Sequence, residues 1–356
     1  MKSLNFKLQI FNMKIDLRSD TVTKPTPAML ERMMQAEVGD DVYAEDPTVN
    51  ELQAFAADLF GKDTALYFPT GSMANQAAIK LHTQPGEQLI CDKWAHVYNY
   101  EGGGASFNSG VSCKLVDGHR GKVTADQVEA SINPPDFYHS PLTSLVCLEN
   151  STNKGGGACY DLKTISEIRN VCDRHGLGLH LDGARLMNAL VATSIEPKEI
   201  GQYFDTISIC LSKGLGAPMG TVLVGDNKLM NNALRVRKVF GGGMRQVGFM
   251  AAAGLYGLRH HVDRLAVDHQ KAKEIASILE RSDLIEKVEP VETNIIIFQP
   301  KDFAVEDFTR ILDSNKIRIS QLGKDKFRIV THLDYTDEQH QRMVSLLKAF
   351  EHQKVS

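Results

Sequence analysis

Two segments carry the residue types best suited to covalent chemistry. His180-Leu-Asp-Gly-Ala-Arg185 is an apolar run that ends in a carboxylate and an arginine. Ser208-Ile-Cys-Leu-Ser-Lys-Gly-Leu-Gly216 is a second run that ends in a lysine followed by glycine. Short, nearly continuous apolar runs read as strands covered on both faces. In an α/β sheet the ends of such strands meet at an edge crevice where ligands bind. A lysine and an aspartate delivered there suit pyridoxal phosphate. Its aldehyde needs an amine for a Schiff base, and its pyridine nitrogen needs a carboxylate to stay protonated so that the ring can accept electrons. Taken singly, Lys213 would be a surface lysine and Asp182 a turn residue before Gly183. Gly214 and Gly216 leave room around the amine, and Arg185 adds a cation one turn on, so together they favour the functional reading.

An anion cradle should accompany them. Phe68-Pro-Thr-Gly-Ser-Met-Ala-Asn75 reads as strand, glycine turn and helix start. Gly71 permits close backbone approach, and Ser72 is expected to cap the helix while binding an anion at its N-terminus. Alone, this pattern also fits an ordinary capped helix. Gly214-Leu-Gly-Ala-Pro-Met-Gly220 has the spacing GxGxxxG and a proline where a helix would run, which excludes a dinucleotide loop. Gly241-Gly-Gly-Met-Arg-Gln246, with Lys238 just before it, is either a surface loop or a device that aims Lys238 and Arg245 at an anion. His260, His261 and His269 fall on a helical pattern and read as surface. No metal-ligand spacing stands out.

The elements that must hold these groups are legible as alternating strands and helices. Thr64–Phe68, Gln88–Cys91, Thr143–Leu148, Gly178–Leu181, Thr206–Leu211 and Thr221–Val224 read as buried strands, with helices over Ser72–His82 and Lys163–His175 between them. Past residue 255 a helical stretch from His261 to Glu280 is followed by a strand at Thr293–Phe298. A helix at Val305–Ser314, a strand at Phe327–Val330 and a terminal helix over Thr336–His352 complete a smaller α/β unit. The division predicted is an extension over 1–13, an N-terminal arm over 14–47, a large domain over 48–255 and a small C-terminal domain over 256–356. A chain of 356 residues with 42% hydrophobic and 24% charged residues is ordinary for two such domains. The net charge of −4 argues against a nucleic-acid partner. Six cysteines without a CxxC pair point to reduced, buried thiols and a cytoplasmic setting. No apolar run approaches a membrane span.

Ile15-Asp-Leu-Arg-Ser-Asp-Thr-Val-Thr23, Gly39-Asp-Asp-Val-Tyr43, Asp46-Pro-Thr-Val-Asn50, Leu181-Asp-Gly-Ala-Arg185, Cys210-Leu-Ser-Lys-Gly-Leu-Gly216 and Gly241-Gly-Gly-Met-Arg-Gln246 occur in one order along the chain. In these motifs the sequence resembles the L-threonine aldolases, which are fold-type-I pyridoxal-phosphate enzymes of the β-eliminating lyase group. The resemblance covers roughly residues 14–350. It implies an aspartate-aminotransferase-like α/β fold, with a large domain built on a mainly parallel mixed sheet flanked by helices and a smaller C-terminal α/β domain.

The same resemblance implies roles. Lys213 would carry the cofactor as a Schiff base, with Ser212 beside it, and Asp182 would pair with the ring nitrogen. Gly71 and Ser72 would hold the phosphate. His96, in Trp94-Ala-His-Val-Tyr98, would stack on the ring, and His139 would lie near the substrate hydroxyl, either histidine being a candidate base. Ser19, Arg185 and Arg328 would bind the substrate carboxylate. Lys238 and Arg245 would reach the phosphate of a neighbouring subunit, in a dimer-built site within a homotetramer. The sequence departs from the family at Thr152, where a histidine is common, and at Lys154-Gly-Gly-Gly157; Asn153 between them is expected to line the site. The implied activity is cleavage of threonine, allo-threonine and related β-hydroxy-α-amino acids to glycine and an aldehyde, of the low-specificity type. Another pyridoxal-phosphate reaction on small amino acids, β-elimination or transamination, and a non-catalytic binding protein on the same fold are the competing readings.

Overall fold

The computed structural model describes residues 13–301 and 305–351; the first twelve residues, expected as an extension, lie outside them. A seven-stranded sheet forms the centre. Its strands in chain order are β1 (Thr64–Phe68), β2 (Gln88–Asp92), β3 (Ser112–Val116), β4 (Thr143–Glu149), β5 (Gly178–Gly183), β6 (Thr206–Cys210) and β7 (Thr221–Gly225). Across the sheet they run β1-β7-β6-β5-β4-β2-β3. All neighbours pair in parallel except β7, which is antiparallel to both β1 and β6.

Every residue of β2, β6 and β7 is buried, because helices cover both faces. Alternate side chains of β1 show how. Ala65 and Tyr67 pack with Leu52 and Phe60 of the helix Pro47–Phe60, whereas Leu66 and Phe68 pack with Ala74, Ala77 and Ala78 of the helix Gly71–His82. The six expected strands are present within a residue or two. The edge strand β3 was not foreseen. It is mostly exposed and carries Ser112 and Lys114, so it has no continuous apolar run to read.

Strand order reverses between β2 and β4. The C-terminal ends of β2, β4, β5 and β6 share one edge of the sheet, and that reversal opens a crevice there. The expected active-site strands β5 and β6 are neighbours, with Asp182 opposite Ser208.

A second core lies beyond. Ser320–Leu322, Lys326–Val330, Ile295–Pro300 and Ile285–Val288 form an antiparallel sheet in that order. Helices Leu265–Glu280, Val305–Ser314 and Asp337–Glu351 belong to the same region, and Ile275, Leu279, Phe298, Phe308, Phe327 and Met343 cluster in its core. Ile15 and Leu17 are fully buried in this same cluster, and Ile15–Asp16 pairs in parallel with Ile317–Arg318. The first stretch of the expected arm is therefore threaded into the C-terminal core. His261 and His269 are also buried, contrary to the surface reading. His261 Nδ1 bonds the carbonyl of Leu215 at 2.8 Å, and His269 Nε2 meets Asn188 Oδ1 at 3.0 Å. Polar partners on the large domain explain why imidazoles are tolerated on those inward faces.

Candidate active site

Asp182 stands at the end of β5, 2% exposed. Its Oδ2 accepts from Asn75 Nδ2 at 3.0 Å, and its Oδ1 accepts from the backbone N–H of Ala184 at 3.0 Å. On the adjacent strand, β6 stops at Cys210 and the chain turns into the single-turn 3₁₀ helix Lys213–Leu215. Lys213 itself has φ +60°. That left-handed geometry costs a residue with a Cβ about 1–2 kcal/mol, and such strain gathers where a side chain must be aimed. The Lys213 ammonium donates to Cys210 Sγ at 3.3 Å, and its carbonyl accepts from Thr23 Oγ1 at 2.9 Å. Ser212 Oγ lies 3.1 Å from the same sulfur.

His96 opens the short helix His96–Asn99 just after β2. Its backbone N–H donates to Glu149 Oε2 at 2.9 Å, and its Nδ1 lies 3.0 Å from Glu101 Oε1. Burial disfavours the imidazolium, but the Glu101 hydrogen bond and the charges of Asp182, Glu101 and Glu149 outweigh it and hold His96 above its ordinary pKa. Asn75 ties the cluster together. Its amide donates to Glu101 Oε1 at 2.9 Å as well as to Asp182, and its Oδ1 accepts from Ser208 Oγ at 2.7 Å. His180, beneath it on β5, is pushed down to about 3 by burial, so it meets this network as the neutral ring.

The other arm of the site is a pair of arginines. Arg185 clasps Asp20 through Nε and Nη2, both at 2.7 Å, in a fully buried fork. Burial raises the Asp20 carboxyl, but the Arg185 charge and hydrogen bonds prevail and lower it to about 2. Arg185 Nε and Nη2 are thus committed to Asp20, and the third nitrogen, Nη1, faces Asn153. That atom lies 3.4 Å from Asn153 Oδ1, and Arg328 Nη1 reaches the same oxygen at 2.8 Å. Two guanidinium groups thus converge on one acceptor. Burial and the neighbouring Arg185 charge lower the Arg328 pKa, and its Nε is buried without a partner among the described residues. Ser19 sits beside this pair, its Oγ accepting from the Thr21 N–H at 3.3 Å and donating to Asp20 Oδ1 at 3.4 Å.

At the anion end, the helix Gly71–His82 is capped by Thr70, whose Oγ1 accepts the Met73 N–H at 3.1 Å. The cap is therefore Thr70 and not Ser72. Ser72, one residue inside the helix, keeps its hydroxyl without a partner among the described residues.

Three expected residues are not brought here within the chain. His139 lies in the exposed loop before β4, against Phe137 and Tyr138, at the opposite end of the parallel strands from Asp182. Lys238 is exposed near the end of the helix Ala233–Val239. Arg245 is exposed and paired with Asp40 at 2.9 Å. Asn75, Glu101, Glu149 and Asp20 were not singled out from sequence. Asn75 and Asp20 fall inside the quoted motifs, and Glu101 follows His96 by five residues; nothing in a linear pattern marks Glu149, whose carboxylate joins His96 to Asn153.

Pyridoxal phosphate asks for an amine, an acid for its ring nitrogen, a ring partner and an anion cradle. Lys213, Asp182, His96 and the N-terminus of the Gly71 helix are groups of those kinds. Thr221 Oγ1 is buried without a partner among the described residues, and a Cβ added at Gly71 would stand 3.5 Å from it. A hydroxyl left unsatisfied beside that helix start is what an anion seat would use. The residues fit the cofactor.

The family model for β-eliminating lyases matches residues 16–302. The chain belongs to the β-eliminating lyase family. Within it, the low-specificity L-threonine aldolase of Escherichia coli strain K12 is 41% identical over 346 residues, covering 94% of this chain and 99% of that protein. A probable low-specificity L-threonine aldolase of Arabidopsis thaliana is 39% identical, covering 95% and 97%. The structure of Leishmania major threonine aldolase superposes with a TM-score of 0.83 at 21% identity, covering 95% of this chain and 99% of that one. The expected fold, α/β of pyridoxal-phosphate fold type I, is the family's fold and is the one observed.

Proposed function

We propose that this enzyme cleaves L-threonine, L-allo-threonine and related β-hydroxy-α-amino acids to glycine and an aldehyde, using pyridoxal phosphate held on Lys213. The observation that carries the reading is the convergence of Arg185 and Arg328 on Asn153 Oδ1, with Asn153 joined to His96 through the Glu149 carboxylate. The Asn153 oxygen stands where a substrate carboxylate oxygen would be received. Two planar guanidinium groups fix a carboxylate in orientation as well as position.

Bound there, pyridoxal phosphate supplies an electron sink for the pair released as the Cα–Cβ bond breaks. Asp182, held by Asn75 and Ala184, would accept from the ring nitrogen and so keep it protonated. His96, fixed through Nδ1 by Glu101, presents Nε2 to take the proton of the β-hydroxyl, directly or through water. Lys213, its backbone held by Thr23, would supply the amine that holds the cofactor. His139 can act only if another subunit brings it to the crevice.

Lys238 and Arg245 would contribute to the phosphate seat of a neighbouring subunit, which supports a dimer-built site and a homotetramer. Exposed Val42, Tyr43, Leu234 and Val239 lie about the buried Asp41–Arg237 pair and offer an apolar surface for that contact. A cytoplasmic setting is supported by the six unpaired cysteines. No helix among the described residues is long and apolar enough to cross a membrane.

Product analysis with the four threonine stereoisomers tests the function. Glycine and acetaldehyde from the L isomers are expected. Ammonia with a keto acid instead would assign β-elimination, and no turnover would leave a binding protein. Borohydride reduction and peptide mapping should label Lys213; a label on another lysine removes the assignment.

A further inference from the structure

Beside the carboxylate clamp a cavity of about 530 Å³ opens between the large sheet and the C-terminal sheet. That volume is within the roughly 300–1,000 Å³ of small-molecule sites and far exceeds what the methyl of threonine needs. Its walls adjoin the site at two points. Tyr100 has its ring 5.5 Å from that of His96, and Lys154 directly follows Asn153. Trp94 and Tyr100 provide aromatic wall, and Ile297 an apolar one.

The charge of this cavity is one-sided. Arg120, Lys154 and Lys326 line it against a single acid, Glu289. Glu289 is already paired with Lys287 at 2.7 Å. Arg120 is committed to Glu292 and to the carbonyls of Gly155, Gly156 and Pro290. Lys154 and Lys326 have no carboxylate partner among the described residues. The Lys154 ammonium sits 5.1 Å over the Tyr100 ring, on the aromatic wall. The glycines after it hold it there. A Cβ at Gly155 would stand 1.8 Å from the Arg120 carbonyl, and one at Gly157 would stand 2.1 Å from Thr293 Oγ1. The loop therefore packs backbone against backbone and turns Lys154 toward the cavity.

We propose that this cavity is the seat of the substrate's β-substituent and that its two unpaired ammonium groups select aryl substituents ending in a carboxylate. The proposal rests on the aldolase reading for the identity of the substrate, but the ligand class rests on the cavity alone. An aromatic ring would lie along Trp94 and Tyr100, and its acid would meet Lys154 and Lys326.

Trp94 is the sole tryptophan of the chain, so its emission reports occupancy without any turnover. With full-length holoenzyme, 4-methylbenzoate should quench Trp94 saturably, and the isosteric neutral 4-methylbenzamide should bind about tenfold more weakly, as one half-buried and one exposed ion pair would give together. The double variant K154A/K326A should erase that difference. The ratio of kcat/KM for 3-(4-carboxyphenyl)serine to that for 3-phenylserine should fall in the same variant by a similar factor. Equal binding of the acid and the amide by the wild type overturns the proposal, as does a difference that survives in K154A/K326A. Absent cleavage of threonine and of both arylserines with the acid preference intact would instead strike the aldolase reading and leave the anionic aryl seat standing.

Discussion

Glu101 acts on His96 through Nδ1, and its own side chain is fully buried. This contact should be visible in pH profiles. Only the neutral imidazole can accept a proton, so kcat/KM falls as the pH drops through the His96 pKa, which lies above its ordinary value. Glu101→Gln removes the charge that favours the imidazolium, so the acidic limb should move to lower pH; an unmoved limb removes His96 as the base. Glu149 behaves differently. Burial and the nearby Asp182 charge raise it from 4.5 to about 7. A carboxyl raised on folding favours the native state while protonated, so that contribution is full below pH 4.5 and lost as the pH rises through 7. Glu149→Gln gives up one of two acceptors, for the His96 and Asn153 N–H groups, and should unfold more easily than wild type at pH 5. The gap in denaturation midpoint should narrow by pH 8, because the amide carries no such penalty; a gap constant from pH 5 to 8 contradicts the raised pKa.

At the scale of elements, the N-terminal segment does work that its composition conceals. Ile15 and Leu17 anchor it in the C-terminal core, Asp20 locks Arg185, and Thr23 holds the carbonyl of Lys213. One extended stretch thus connects the small domain to both arms of the site. Leu17→Ala should destabilise the protein by about 2–5 kcal/mol, the usual cost of truncating a fully buried leucine. Because Ser19 and Asp20 follow immediately, activity below the unfolding transition should fall as well. Denaturant titration alongside kinetics checks both; lost stability with an unchanged KM would show that the segment is an anchor and nothing more.

At the scale of the whole molecule, exposed apolar side chains flank the buried Asp41–Arg237 pair that joins the N-terminal segment to the helix Ala233–Val239. Tyr43 and Val239 are 71% and 82% exposed, an apolar pairing of the kind that marks a contact surface. The same helix carries Lys238. Val239→Glu should shift the protein to a smaller species in sedimentation velocity and weaken retention of pyridoxal phosphate together. Dissociation without loss of the cofactor would detach Lys238 from the phosphate seat.

The amino-acid sequence determined the alternation of strand and helix, the two strand ends that carry Asp182 and Lys213, and the glycine that opens the helix Gly71–His82. These are local signals: continuous apolar runs, turn residues and caps are written in neighbouring positions. Only the tertiary structure decided which residues share the crevice. Asn75 between two carboxylates, Asp20 closing half of the Arg185 fork, and Glu149 reaching the His96 N–H are contacts between segments far apart in the chain, which no spacing encodes. It also decided that His139 lies at the wrong end of its strand, because a parallel sheet separates the two ends of each strand by the strand's full length, whatever motif flanks them.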